Sequence, residues 1–470
     1  MGQAKSSGRR RKKPGRAKVP VPPELKHVNL NAAGIDIGSE EHYVAVPPGR
    51  DPEGRDVRHF GAFTGELCAL ADWLEDCGVR TVAMESTGVY WIPLFELLEQ
   101  RGFEVKLVNP RQLKNVPGRK TDVLDCQWLQ QLHTYGLLQG SFRPDGEICV
   151  LRSYLRQRET LVEYRSSHIQ HIQKALDQMN LKLHKVVSHI TGVTGMSIVR
   201  AILKGERDPR ALATLRNHRC HNPQAVIAKA LEGNWREEHL FALEQAVELF
   251  DAYTQKIEAC DARIEAHLGT LADRSGGKER PKPKRRPGTN TSAPDFDAHS
   301  HLYRVTGVDL TRIDGIAETT ALTILGEIGL DMTLWPSEKH FASWLGLCPG
   351  NKISGGKRLS GRTKPCANRA ATALRVAAQS LYHSHSALGA FSRRLKARLG
   401  ASKAITATAH KLARIVYRML RYGQEYVDVG QDYYEQRYRD RQLKGLERKA
   451  KELGYNLSKI QDLQQSVAAE

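Results

Sequence analysis

Residues 28–47 read VNLNAAGIDIGSEEHYVAVP. The apolar stretch from Val28 to Ile37 and the resumed one at His42–Val46, split by Gly38-Ser39-Glu40-Glu41, predict two strands joined by a tight turn. Asp36 interrupts the first strand near its end, and a carboxylate among apolar strand residues is costly unless it binds something. Working outward, Val57–Phe60 predicts a third strand, and Thr64 predicts the cap of a helix running through Cys77. Arg80–Glu85 reads as a short apolar strand, Val89–Gln100 as a helix ended by Arg101-Gly102, and Glu104–Val108 as a strand stopped by Asn109-Pro110. Two helical pieces follow, Arg111–Val116 and Thr121–Tyr135. The order β-β-β-α-β-α-β-α predicts an α/β unit, a mixed sheet with helices on its faces.

The whole chain has 470 residues, 71 Lys or Arg against 52 Asp or Glu, and 40% hydrophobic residues. That length predicts several domains, and that apolar content excludes a fully disordered protein. No apolar run approaches the ~20 residues that span a bilayer, and no apolar segment follows the basic N-terminus as a secretory signal requires. The eight cysteines are scattered without a C-x-x-C pair, which predicts reduced thiols and a cytoplasmic protein.

Net charge of +19 points to a polyanionic partner. Residues 1–27 carry a basic, Gly- and Pro-rich stretch that predicts a disordered arm. From Lys339 to Gln424 there are 86 residues, 17 Lys or Arg and no Asp or Glu, where the chain-wide acid frequency predicts nine or ten. Acids are missing where a phosphate backbone would repel them. A membrane surface also attracts such charge, but no amphipathic helix with an aromatic face accompanies it.

Between these regions, Ile148, Leu151, Leu155, Val162, Ile169, Ile172, Leu176, Met179 and Leu183 keep one heptad register, interrupted by Arg158 and Arg165. Leu240, Leu243, Val247, Phe250, Ile257, Ile264 and Leu268 repeat the pattern. Two long coiled-coil helices are predicted, paired within one chain or between subunits. His168, His171, His184 and His189 along this region read as surface or RNA-contacting residues rather than metal ligands. Residues 270–300 predict a flexible basic linker. Leu310–Leu330 reads helix, Gly turn, helix, and residues 366–421 read as largely helical. Trp335 and Trp344 read as core, and Tyr433 and Tyr434 as surface packing or base-stacking residues in a helical tail.

Two groups of residues carry chemistry. Asp36 and Glu85 end two predicted strands, and Asp122 and Asp125 lie three apart on one face of a predicted helix. Four hard oxygen ligands of this kind hold Mg²⁺, and paired ions clamp the attacking and leaving oxygens of a phosphodiester. Arg119 and Lys120 precede them as candidate phosphate contacts. The second group is GLCPGNKISGGKRLSGRTK, residues 346–364, where Ser354 precedes two glycines that leave its hydroxyl uncovered. Lys352, Lys357, Arg358, Arg362, Lys364 and Arg369 supply positive charge around it. Spacing alone leaves Ser354 either a nucleophile or a turn residue.

GIDIG, MESTG and K-TD-x-x-D, followed far downstream by GLCPGNKISGGKRLSGRTK, resemble the DEDD transposases of the IS-one-ten / IS-eleven-eleven insertion-sequence superfamily, which are similar to Piv-type invertases and include bridge-RNA-guided recombinases. The resemblance covers residues 28–136 and 305–421. It implies a RuvC-like, RNase H-fold domain, a coiled-coil middle and a mainly helical C-terminal transposase domain, expected over 28–147, 148–269 and 301–425; the linker 270–300, which departs from the family pattern, and a helical tail over 426–470 are read from the residues themselves. It implies Asp36, Glu85, Asp122 and Asp125 as catalytic metal ligands for Mg²⁺. It implies Ser354, with Ser360 as its nearest rival, as a nucleophile that links to DNA.

The expected activity is Mg²⁺-dependent, RNA-guided DNA recombination through a phosphoserine. The expected partners are target and donor DNA, a noncoding bridge-type guide RNA and further copies of the chain in a dimer or tetramer, with no membrane. A RuvC or RNase H-type structure-specific nuclease that uses water is the competing enzyme reading, and a non-catalytic nucleic-acid-binding protein the third. A tyrosine recombinase is disfavoured, because His410-Lys-Leu-Ala-Arg414 lacks the H-x-x-R spacing despite Tyr417 nearby.

Overall fold

The computed structural model describes residues 29–110, 122–282 and 292–457. They fall into two compact units, one ending at Arg143 and the other beginning at Pro144. The arm 1–27, the helix expected at Arg111–Val116, Arg119, Lys120 and part of the basic linker lie outside the described residues.

In the first unit, β1 (Ala32–Ile37), β2 (Glu41–Ala45) and β3 (Val57–Gly61) form an antiparallel meander. Helix α1 (Thr64–Asp76) leads to β4 (Thr81–Glu85), α2 (Trp91–Gln100) leads to β5 (Glu104–Val108), and α3 (Asp122–Thr134) follows. The sheet order is β3-β2-β1-β4-β5, with β4 and β5 parallel to β1. This mixed order fits an RNase H-like α/β unit. The first strand is shorter than expected, and Thr64 is not a cap. Phe63 holds the N-cap position in extended backbone without a side-chain bond, and Thr64 is the first helical residue.

Ile35, Ile37, Val44, Val82 and Met84 on the sheet pack with Leu70, Leu74, Leu94 and Leu98 of α1 and α2 to form the core on one face. The other face has a smaller cluster, in which Ala83 and Val108 meet Leu129 of α3. Alternating strand residues feed the two faces, as the period of two requires.

The second unit is built on two long helices, α4 (Gly146–Gln178) and α9 (Glu237–Thr270). They pair within one chain and run antiparallel: His267 bonds the Glu147 carbonyl, Arg158 meets Asp261, and His168 stacks on Tyr253. The heptad positions Ile148, Leu151, Ile172, Leu176, Leu243, Ile257 and Ile264 are buried along the seam. The two expected interruptions lie on that seam as well. Arg158 and Arg165 are buried, and Arg158 forms a two-pronged pair with the equally buried Asp261. Arg165 lies over the ring of Phe250.

Between the long helices, α5 (Leu183–Val186), α6 (Val193–Leu203), α7 (Pro209–Thr214) and α8 (Gln224–Ala230) fold over the pair and share its apolar core. The expected linker is not free at its far end. Arg158 donates to the carbonyls of Ser292 and Ala293, and the Asp295 amide donates to Asp261. Helix α10 (Ala298–Thr306) starts there.

The remaining chain packs in the same unit. A 3-10 turn at Leu310–Arg312 replaces the first helix expected in the 310–330 segment; Gly315 turns the chain at φ 87°, and α11 (Glu318–Ile328) follows. Arg152 and Arg156 of α4 bind the end of α11, through the Gly326 and Glu327 carbonyls and the Glu327 carboxylate. Then come α12 (Glu338–Trp344), a hairpin of β6 (Lys352–Ser354) and β7 (Lys357–Ser360), α13 (Arg369–Ser380), α14 (Ala387–Leu399), α15 (Ala401–Tyr422) and α16 (Gln431–Glu452). Among the described residues no helix is long and apolar enough to cross a membrane, and all eight cysteines are free.

Candidate active site

The acidic residues converge because of how three elements cross. Asp36 lies near the end of β1. Glu85 lies at the end of β4, one position past the paired Ile35 and Met84. Parallel neighbours end at the same edge, so the two carboxylates share it.

Helix α3 crosses β1 at Gly34. A β-carbon at Gly34 would overlap the Gln130 nitrogen and the Cys126 carbonyl, so only glycine lets the helix backbone approach this closely. Cys126 and Gln130 are buried on the contact face, and Gln130 donates from its amide nitrogen to the Ala32 carbonyl at 3.2 Å. That contact sets the first turn of α3, with Asp122 and Asp125, beside the same strand end.

The electrostatics record the convergence. Asp36 is pushed up to about 6, first by burial and then by the negative charges of Glu85, Asp122 and Asp125. Cys126 is pushed up to about 12, first by burial and next by the charge of Asp36. The Cys126 thiol therefore stays protonated and donates to the Val123 carbonyl at 3.2 Å. Thr87 donates to Glu85 at 3.3 Å. A carboxylate group that resists ionisation because of its neighbours gains from a cation among them. The four-oxygen donor set fits a hard divalent ion, although among the described residues no three His, Cys, Asp or Glu side chains form a close ligand cluster.

The Gly-rich segment is a β-hairpin rather than an irregular loop. Gly355 and Gly356 have φ of 54° and 78°, the paired left-handed geometry of a two-residue type I′ turn. Ser354 is the last residue of β6 and pairs with Lys357. It is exposed, and its hydroxyl makes no hydrogen bond among the described residues. Ser360 differs: it is half-buried, and its hydroxyl accepts from the Arg362 amide at 3.2 Å.

The candidate phosphate contacts divide. Lys352 is placed on β6; Lys357 and Arg358 lie on β7, and Arg362 and Lys364 follow it, these last four exposed. Arg369 is exposed but is paired with Glu159 at 2.6 Å. The acid-free segment is partly neutralised from just outside, because Glu338 holds both Arg414 and Arg418. Tyr417 is fully buried, and its hydroxyl donates to the Trp335 carbonyl at 2.8 Å, so it is not available as a nucleophile. Trp335 is buried and Trp344 half-buried in the aromatic cluster with Phe341.

Residues 33–181 match a family model of the DEDD type described as "Transposase", and residues 309–393 match one described as "Transposase IS116/IS110/IS902 family". The first match contains all four carboxylates, and the second contains Ser354. No curated relative matches the chain.

Proposed function

Because the chain belongs to the IS110-type DNA transposases, we propose that it moves an insertion sequence by exchanging DNA strands through a phosphoserine at Ser354, guided by a noncoding RNA. The observation that carries this reading is the presentation of Ser354. Its hydroxyl stands uncovered at the tip of a hairpin, with Lys357 across from it and two glycines behind it.

Asp36, Glu85, Asp122 and Asp125 would hold Mg²⁺, which when bound neutralises charge on the scissile phosphate. In the first half-reaction the Ser354 oxygen attacks the phosphorus of the DNA backbone. The bond from phosphorus to one bridging oxygen breaks, and that oxygen leaves as a strand-end hydroxyl, gaining a proton as the serine loses one. In the second, a hydroxyl of another strand attacks the phosphoserine and restores the serine. One phosphodiester is exchanged for another, so no nucleotide cofactor is consumed.

The exposed cations at Lys357, Arg358, Arg362 and Lys364 support contacts to phosphate, which position nucleic acid without reading its sequence. Sequence choice then rests with the pairing of a guide RNA to target and donor DNA. The long helices act as a coiled coil, and the working enzyme is a homo-oligomer, a dimer or tetramer.

The test compares Ser354→Ala with Asp36→Asn, using purified protein, its co-expressed flanking RNA and labelled donor and target DNA in Mg²⁺. Both variants should lose strand exchange, and Ser354→Ala should lose cleavage as well. Continued cleavage by Ser354→Ala would show that water attacks, as in a RuvC-type nuclease.

A further inference from the structure

The four short helices that cap the long pair carry an unused charge pattern. Residues 178–231 hold nine Lys or Arg and two acids, Glu206 and Asp208, with four histidines. The fold gathers part of this charge at one end. The Asn222 side chain donates to the Val186 carbonyl at 2.8 Å, and the Asn217 amide donates to Thr194 at 3.0 Å. The Lys182 amide donates to the Ala230 carbonyl at 2.8 Å. These bonds tie the 216–222 loop and α8 to α5 and the start of α6. Lys185, His189, Arg219, His221 and Lys229 are exposed on the tied segments, and among the described residues none of their side chains has a carboxylate partner.

We propose that this cap is a docking surface for the phosphate backbone of duplex DNA. The inference rests on the chain being a DNA transposase, and not on the role of Ser354. Uncommitted cations without interleaved acids suit a polyanion. The cap also lacks a stacking platform. Residues 178–231 contain no Phe, Trp or Tyr, and the next aromatic ring along the chain, Trp235, is half-buried under the Arg207 guanidinium, 4.8 Å from the ring centre. Single strands are held largely by stacking on aromatic rings, so a surface with charge and no free ring favours a duplex held by its backbone. The cap would thus grip DNA away from the reacting bond.

The test uses the full-length protein with Lys185→Gln, Arg219→Gln and Lys229→Gln combined. Binding to a random-sequence DNA duplex is followed by fluorescence anisotropy over a range of salt. A second triple variant, Lys444→Gln, Arg448→Gln and Lys451→Gln on the exposed helix α16, removes the same charge elsewhere. The cap variant should bind roughly 100-fold more weakly at 0.1 M salt, and its slope of log affinity against log salt should fall by about 2 to 3. The α16 variant should change little. Equal effects of the two variants, or an unchanged cap variant, overturn the inference, as does a loss confined to single-stranded RNA or to an acidic peptide probe. Failure of the unaltered protein to bind duplex DNA would instead remove the DNA reading beneath it.

Discussion

Gly34 lies against the main chain of Gln130, so closely that a β-carbon at position 34 would come within 2.9 Å of the Gln130 α-carbon and overlap its nitrogen. Backbone cannot move aside as a flexible side chain does. Gly34→Ala should therefore push α3 off the sheet and carry Asp122 and Asp125 away from Asp36. Overpacking of this kind costs about 1–3 kcal/mol or more. The expected outcome is a lowered melting temperature and a loss of DNA strand exchange beyond what the stability change explains. Ala33→Gly, at a buried neighbour, should lower stability without abolishing exchange. Both are read by thermal melting and a strand-exchange assay.

His133 gives the first unit an acid-sensitive point. It is almost fully buried and shares a 2.8 Å hydrogen bond with Thr81, whose own hydroxyl donates to the Glu104 carbonyl. The imidazole therefore donates from Nε2, and Nδ1 has no partner among the described residues. Burial, then the nearby Lys106, pulls its pKa down to about 4 from 6.5. The unfolded chain takes up this proton near pH 6.5 and the folded chain only near 4, so this contribution to stability is whole above 6.5 and is lost as pH falls through that window. The loss should reach about 2–3 kcal/mol at pH 4. Urea titrations at pH 7 and pH 4.5 should show it, and His133→Gln should flatten the difference.

The Arg158–Asp261 pair should behave as a buried ion pair. Asp261→Ala leaves the buried guanidinium uncompensated and should cost about 3–5 kcal/mol. The double replacement Arg158→Met with Asp261→Leu should recover most of that loss, because an apolar seam replaces the pair. Chemical denaturation followed by helical circular dichroism checks both, and a double variant no more stable than Asp261→Ala would contradict the reading.

How much of this was legible in the residues depends on sequence distance. The β-β-β-α-β-α-β-α order followed from local apolar runs, and three carboxylates that surround Asp36 were identifiable because strand ends and helix starts are local signals. Gly34 read as part of a motif, and its contact with Gln130 was hidden because a close approach needs the partner segment, about a hundred residues away. Arg158 and Arg165 read as breaks in a heptad for the same reason. Asp261 is an a/d-phase residue on the second long helix, and only antiparallel pairing brings it to Arg158. The hairpin at Ser354 did have a local signal, two glycines between Ile-Ser and Lys-Arg, which a type I′ turn requires.

The most direct measurement maps the covalent intermediate. The protein is reacted with DNA carrying an interrupted strand that blocks religation, then digested, and the adduct is located by mass spectrometry. A nucleotide on the peptide containing Ser354, lost in Ser354→Ala and retained in Ser360→Ala, is the predicted result. An adduct on another residue, or cleavage by Ser354→Ala with no adduct at all, would contradict it.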